Sequence, residues 1–107
     1  MEEEKFNKII DLLMKQLNFK NDFSRKFIAK SLKAVQVFDE NHTEKGLSNY
    51  SEFGAIAILI KMSEKLNKLK QIYKNEIKID KSEELKIWED CSVYSLMGEL
   101  IASDQWK

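Results

Sequence analysis

The chain has no proline, and among its 107 residues there are only three glycines, one cysteine, one histidine and one arginine. Without proline, and with glycine confined to Gly46, Gly54 and Gly98, it lacks the punctuation that turn-rich β sandwiches and barrels require. Long uninterrupted helices are therefore expected, and the fold class reads as all-α. A lone Cys91 has no internal disulfide partner, and one cysteine with His42 cannot assemble a Cys/His zinc site. No apolar run approaches the roughly 18 to 20 residues that span a bilayer, and Met1-Glu2-Glu3-Glu4 is acidic where a secretory leader is basic. A cytoplasmic setting without membrane insertion is expected. Arg25 is the sole guanidinium, so the rigid fork that reads guanine or clamps phosphate is nearly missing.

What the chain does have is charge in balance, 18 basic against 18 acidic residues, with 43% apolar residues. A net charge of zero argues against a dominant phosphate-backbone contribution, so sequence-specific nucleic-acid binding is not expected. The size suits one domain over residues 1–107. Area scaling gives roughly 6,200 Å² of folded surface against roughly 18,300 Å² unfolded, enough to bury about two thirds in one core.

Apolar spacing predicts four helices. From Glu2 to Leu17, Phe6, Ile9, Ile10, Leu13 and Leu17 recur at three and four, and Glu2 to Glu4 suit the positive end of the helix dipole. Asn18 to Asn21 reads as a turn. Asp22 is placed to cap a second helix ending near Asp39, with Phe23, Phe27, Ile28, Leu32, Val35 and Phe38 as its stripe and Lys26, Lys30 and Lys33 facing water. Glu40 to Asn49 has no period and reads as a loop containing His42, a solvated residue with no nucleophile placed beside it.

Ser51 is expected to cap a third helix running to about Lys74. Between Phe53 and Ile60 every residue except Gly54 is apolar, which predicts the most buried segment of the chain, a close helix crossing at Gly54, and unfolding by Ile56→Asp. Glu76 to Asp80 alternates like a strand but is too short and has no partner strand, so it reads as a connector. Ser82 is expected to cap the last helix, whose Leu85, Ile87, Trp88, Cys91, Tyr94, Leu96, Met97 and Ile101 surround most of its circumference. Cys91, Trp88 and Tyr94 read as core. Trp106, near the end, is expected to dock on a partner or a second copy. Two helices apolar on two sides exceed what a lone four-helix bundle covers, so a homodimer is expected, against the alternative that the two N-terminal helices cover both sides.

The run Leu59-Ile60-Lys61-Met62-Ser63-Glu64-Lys65-Leu66-Asn67-Lys68-Leu69-Lys70 resembles a "hydrophobic, Arg, Met, Ser, Asp, Lys, Leu, x, Arg, Leu" segment. It occurs in small phage and bacterial helical domains associated with nucleotide modification, relatives of the MazG-like all-α nucleotide pyrophosphohydrolases. In the last helix, Glu89-Asp90-Cys91-Ser92-Val93-Tyr94-Ser95-Leu96 is similar to the family's "Leu, Asp, Leu, Ala, Asn, Tyr, Ala" stretch. Together the blocks cover roughly half the chain, Ser51 to Ser103. The resemblance implies a MazG-like bundle in which helical carboxylates hold Mg²⁺ and a nucleoside triphosphate is cleaved to monophosphate and pyrophosphate. Carried over by position, Glu64 and Asp90 stand at metal-ligand positions. Lys86 occupies the place of the acid expected one turn before Asp90, and the family's upstream Lys-Asn-x-Asp-Tyr-Gly element is not legible around Glu40 to Gly46.

Glu83 with Asp90 and Glu64 is an alternative acidic set, but two turns separate Glu83 from Asp90, about 10 Å. Each acid also has a plainer reading: Glu83 and Glu84 complement a helix dipole, Glu64 faces Lys68, and Asp90 faces Lys86, both pairs at i,i+4. Lys61, Lys65, Lys68, Lys70 and Lys74 form a lysine-rich surface, which reads as a solvated face or as phosphate attraction, with Lys61, Lys68 and Lys86 the candidate ligand-binding residues. Two functions follow. One is a MazG-like domain binding a nucleotide or nucleotide-like ligand, with Mg²⁺-dependent hydrolysis weak or lost. The other is a non-catalytic phage-type interaction protein that inhibits a host protein or defence system through a helical face.

Overall fold

The computed structural model describes residues 2–41 and 47–106, and the side chains of residues 2–40 and 54–106. The described residues form four helices, α1 (Glu2–Gln16), α2 (Asp22–Asn41), α3 (Leu47–Lys74) and α4 (Lys81–Ala102), and no strand. The all-α expectation holds, and residues 76–80 form a connector. The expected loop is shorter than its sequence suggests, because residues 40–41 and 47–49 are helical; His42 and Gly46 lie outside the described residues. The chain divides into two compact units, Met1–Val37 and Phe38–Lys107.

In the first unit Ile10 and Ala34 are buried, and the Arg25 guanidinium pairs with the Asp11 carboxylate. The second helix starts differently from expectation. Asn21, one residue before Asp22, supplies the cap: its Oδ1 accepts the Phe23 N–H at 2.9 Å. The expected apolar stripe also splits. Phe23 and Phe27 are 64% and 74% exposed, whereas Ile28 and Leu32 are half-buried. The reason is rotational, since Leu32 follows Phe23 by nine residues, half a turn around the helix axis at 100° per residue. Lys26 Nζ lies 4.7 Å over the Phe23 ring.

In the second unit α3 and α4 pack together as a hairpin joined by residues 75–80. Leu69, Ile72 and Ile87 form a buried cluster near the connector, with Ile79 packed on it, and Ile58, Cys91, Val93 and Met97 are buried further along. Cys91 is core, as expected; Trp88 is not, with 48% of its surface exposed. Trp106 is half-buried, and its ring meets Phe38 of the same chain edge-on at 6.0 Å.

The helical backbone of α3 begins at Leu47, four residues before the expected Ser51 cap, whose side chain lies outside the described residues. Gly54 interrupts it with φ 64° and ψ −149°, a conformation essentially restricted to glycine. Among the described residues there is no close crossing there, since a Cβ at Gly54 would meet none of them within 4 Å. The approach to α4 is made instead at Gly98, where a Cβ would lie 3.8 Å from Ile58 Cγ2. The expected burial of Phe53 to Ile60 is overturned for its described side chains. Ile58 is buried, but Ile56, Leu59 and Ile60 are 64%, 57% and 55% exposed, because a helix packed on one neighbour presents one stripe to it. Phe53 lies outside the described side chains. At the start of α4 the cap position is Asp80, whose carbonyl accepts the Glu84 N–H at 3.1 Å, and Ser82 falls inside the first turn.

Three helices stop in the same way without glycine. Asn18, Glu76 and Asp104 adopt φ of 57°, 52° and 62°, and the residue after each donates its N–H back to Met14, Ile72 and Leu100 respectively, at 3.0, 3.0 and 2.8 Å.

Candidate functional site

Register along the hairpin decides which candidate residues meet. Asp90 of α4 points at α3, and both of its oxygens are engaged: Oδ2 lies 3.2 Å from Lys65 Nζ and Oδ1 3.2 Å from Lys86 Nζ. Lys86 also reaches Glu89 at 3.5 Å. The i,i+4 pairing of Lys86 with Asp90 is the plainer sequence reading of that acid. Lys65 is the partner sequence reasoning passed over, although its place opposite Asp90 follows once α3 and α4 are aligned antiparallel through Ile58 and Gly98.

The electrostatics follow from this clamp. Burial lowers the Lys86 pKa, but the hydrogen bond and charge of Asp90, joined by Glu89, outweigh it and the net shift is upward. Next to Asp90, the Cys91 thiol is pushed up, first by burial and then by the Asp90 charge, against the opposing effect of Lys65. A thiol so held is a poor thiolate source and acts as core.

The other candidates sit around the clamp on α3. Lys61 and Lys68 are four residues before and three after Lys65, on the same helix face, exposed and without an ion pair to a described residue. Glu64 is exposed between them and has no ion pair with Lys68 or with any other described residue. Asp90 and Glu64 do not converge with a third acid: among the described residues no three His, Cys, Asp or Glu side chains are grouped to hold a metal ion. Mg²⁺ requires several oxygen ligands in octahedral array, and a carboxylate with an ammonium on each oxygen is a poor one. The donor set therefore does not fit the ion that the resemblance implies.

A second constellation lies near the connector and was not foreseen. Trp88 Nε1–H donates to the Tyr73 hydroxyl at 3.0 Å, Tyr73 donates to Glu84 Oε2, and Lys81 Nζ donates to Glu84 Oε1 at 3.3 Å. The Tyr73 hydrogen bond, then that of Lys81, holds the Glu84 carboxyl below the ordinary glutamate range. Beside this relay opens a trough of about 540 Å³ bounded by Leu66, Leu69, Lys70, Tyr73, Lys74 and Trp88. The signal available in the sequence was the spacing of Leu66 and Tyr73, seven residues apart on α3. Among the described residues no helix is long and apolar enough to cross a membrane. No family model, curated protein or solved structure matches the chain.

Proposed function

We propose that the chain is a cytoplasmic MazG-like helical domain that binds a nucleotide or nucleotide-like ligand at the lysine face of α3 and α4, with Mg²⁺-dependent pyrophosphohydrolysis weak or lost. The observation that carries this reading is the clamp on Asp90, in which both oxygens of the residue aligned with a metal ligand are taken up by ammoniums. Lys61 and Lys68, with no internal counter-ion among the described residues, remain on the same face of α3 to attract phosphate. The working form is a homodimer. Ile56, Leu59 and Ile60 would be covered by the same segment of a second copy, an apolar face that an isolated chain leaves in water.

The test is a panel of nucleoside mono-, di- and triphosphates read by thermal shift with Mg²⁺ and with chelator, since a ligand of the native state raises Tm by mass action without turnover. A shift is expected that is indifferent to Mg²⁺ and lost in the Lys61→Gln, Lys68→Gln, Lys86→Gln triple variant. Brisk pyrophosphate release that disappears in Glu64→Ala and Asp90→Ala overturns it and restores the enzyme.

A second reading has its own observation. The exposed Phe23 and Phe27, flanked by Lys26 and Lys30, form an aromatic and basic helical face of the kind that anchors protein interfaces. This supports the non-catalytic phage-type protein directed at an acidic host surface. A nucleotide panel without any shift, together with loss of host-protein inhibition in Phe23→Ser/Phe27→Ser, would favour it.

A further inference from the structure

We infer that the turn between α1 and α2, with the first turns of α2, is a docking surface for an anionic lipid bilayer, Phe23 and Phe27 entering below the headgroups and the neighbouring lysines meeting them. The surface lies wholly in the first unit and does not depend on the lysine face proposed above. It gives the aromatic face of α2 a different occupant from an acidic protein, and the experiment separates the two.

Spacing brings the two kinds of side chain together. Phe23, Lys26, Phe27 and Lys30 fall within about a third of the circumference of α2, at 100° per residue. All four are exposed, and so are Leu17, Phe19 and Lys20 in the turn just before the helix. The Lys26 ammonium lies over the Phe23 ring, so a charge rides directly beside an apolar group. At a bilayer surface that pairing lets the ring go deeper while the long lysine stem keeps its head among the headgroups.

The charge around these rings has one sign. From Lys15 to Lys33 six basic residues meet a single acid, Asp22, and between Phe23 and Phe38 the helix carries no acid at all. Arg25 is spent on Asp11, while Lys15, Lys20, Lys26, Lys30 and Lys33 form no ion pair with a described residue. Each lysine brought to an anionic membrane surface strengthens binding about fivefold. In a chain read as cytoplasmic, the surface of that chemistry is the inner leaflet of the cell membrane.

The kind of side chain favours lipid over protein. Protein hot spots are enriched in Trp, Tyr and Arg, whose polar ends meet partners at fixed positions. Here the exposed apolar set is Leu17, Phe19, Phe23 and Phe27, with no side-chain polar atom to satisfy, and an acyl layer receives such groups without matching their shape. The unpaired cations are all lysine, a point charge on a flexible stem, suited to a field of headgroups where a planar guanidinium suits one positioned carboxylate.

The experiment is cosedimentation of the full chain with phosphatidylcholine vesicles and with vesicles of two parts phosphatidylcholine to one part phosphatidylserine. Binding to the anionic vesicles is expected, at least tenfold weaker on the neutral ones and reduced by high salt. Phe23→Ser/Phe27→Ser and Lys26→Gln/Lys30→Gln are each expected to weaken it at least tenfold with unchanged helical circular dichroism, since all four side chains are exposed. No sedimentation up to millimolar anionic lipid overturns the inference, and loss of host-protein inhibition in Phe23→Ser/Phe27→Ser would then assign the face to an acidic protein. Equal binding to neutral vesicles also overturns it. So does binding that survives Phe23→Ser/Phe27→Ser, since lysines anywhere on the chain would then account for it.

Discussion

Asp90 sits where two ammoniums converge, and the consequence for any added anion is competition. Replacing it by asparagine keeps the shape but frees Lys65 and leaves Lys86 with Glu89 alone, so Asp90→Asn is expected to lose about 1 kcal/mol of stability, as for a partly exposed pair, while inorganic phosphate binds severalfold more tightly. Denaturant unfolding and calorimetry read the two effects, and weaker phosphate binding would contradict the clamp's role. Glu84 gives a pH signature. Its folded pKa is depressed, so its contribution is fully present above the ordinary glutamate pKa and is lost as pH falls through the lowered value. Trp88 emission is therefore expected to hold steady down to the ordinary glutamate range and to change only below it, with the transition absent in Glu84→Gln. Glu76 has a backbone consequence: a left-handed residue with a Cβ costs roughly 1 to 2 kcal/mol relative to glycine, so Glu76→Gly is expected to raise stability by about 1 kcal/mol.

At the scale of the helix, the contact of Ile58 with Gly98 separates two neighbouring isoleucines. Ile58→Ala removes buried methyl groups at the hairpin interface and is expected to cost about 2 to 4 kcal/mol in urea unfolding. Gly98→Ala places its methyl at ordinary van der Waals distance from Ile58 and gains helix propensity, for a stabilisation of up to about 1 kcal/mol. These contrasts explain what was legible beforehand. The four helices and the connector follow from spacing, because an amphipathic period is a local property. Which apolar residues are covered is not local: Trp88, Phe23, Phe27 and Ile56 read as core by residue type, and only the rotation of each helix about its axis leaves them in water. The candidate site divides in the same way. Lys86 with Asp90 is one turn of a single helix and could be read from spacing, whereas Lys65 with Asp90 and Tyr73 with Trp88 needed the alignment of two.

For the whole molecule, the exposed Ile56, Leu59 and Ile60 turn an expectation about folding into one about assembly. Ile56→Asp is expected to leave the circular dichroism and melting of the isolated chain nearly unchanged, since the side chain lies mostly in water, and to abolish the proposed dimer at micromolar concentration in sedimentation. A wild-type chain that sediments as a monomer removes the dimer. A variant that unfolds shows instead that the segment is core.

The neutral formula of the chain conceals a sorting of charge by helix. α3 carries five lysines against two glutamates, and α4 carries two lysines against five acids, so the two helices are opposite in sign and attract along their length. Such a code states that an α3 pairs with an α4 without stating whose. With a six-residue connector between them, two chains joined in the proposed dimer would be able to trade last helices, each α3 accepting its neighbour's α4 in place of its own. Exchange of that kind is set by concentration and by salt: screening weakens the recognition, and a slow return to the unexchanged form after dilution would be its kinetic mark.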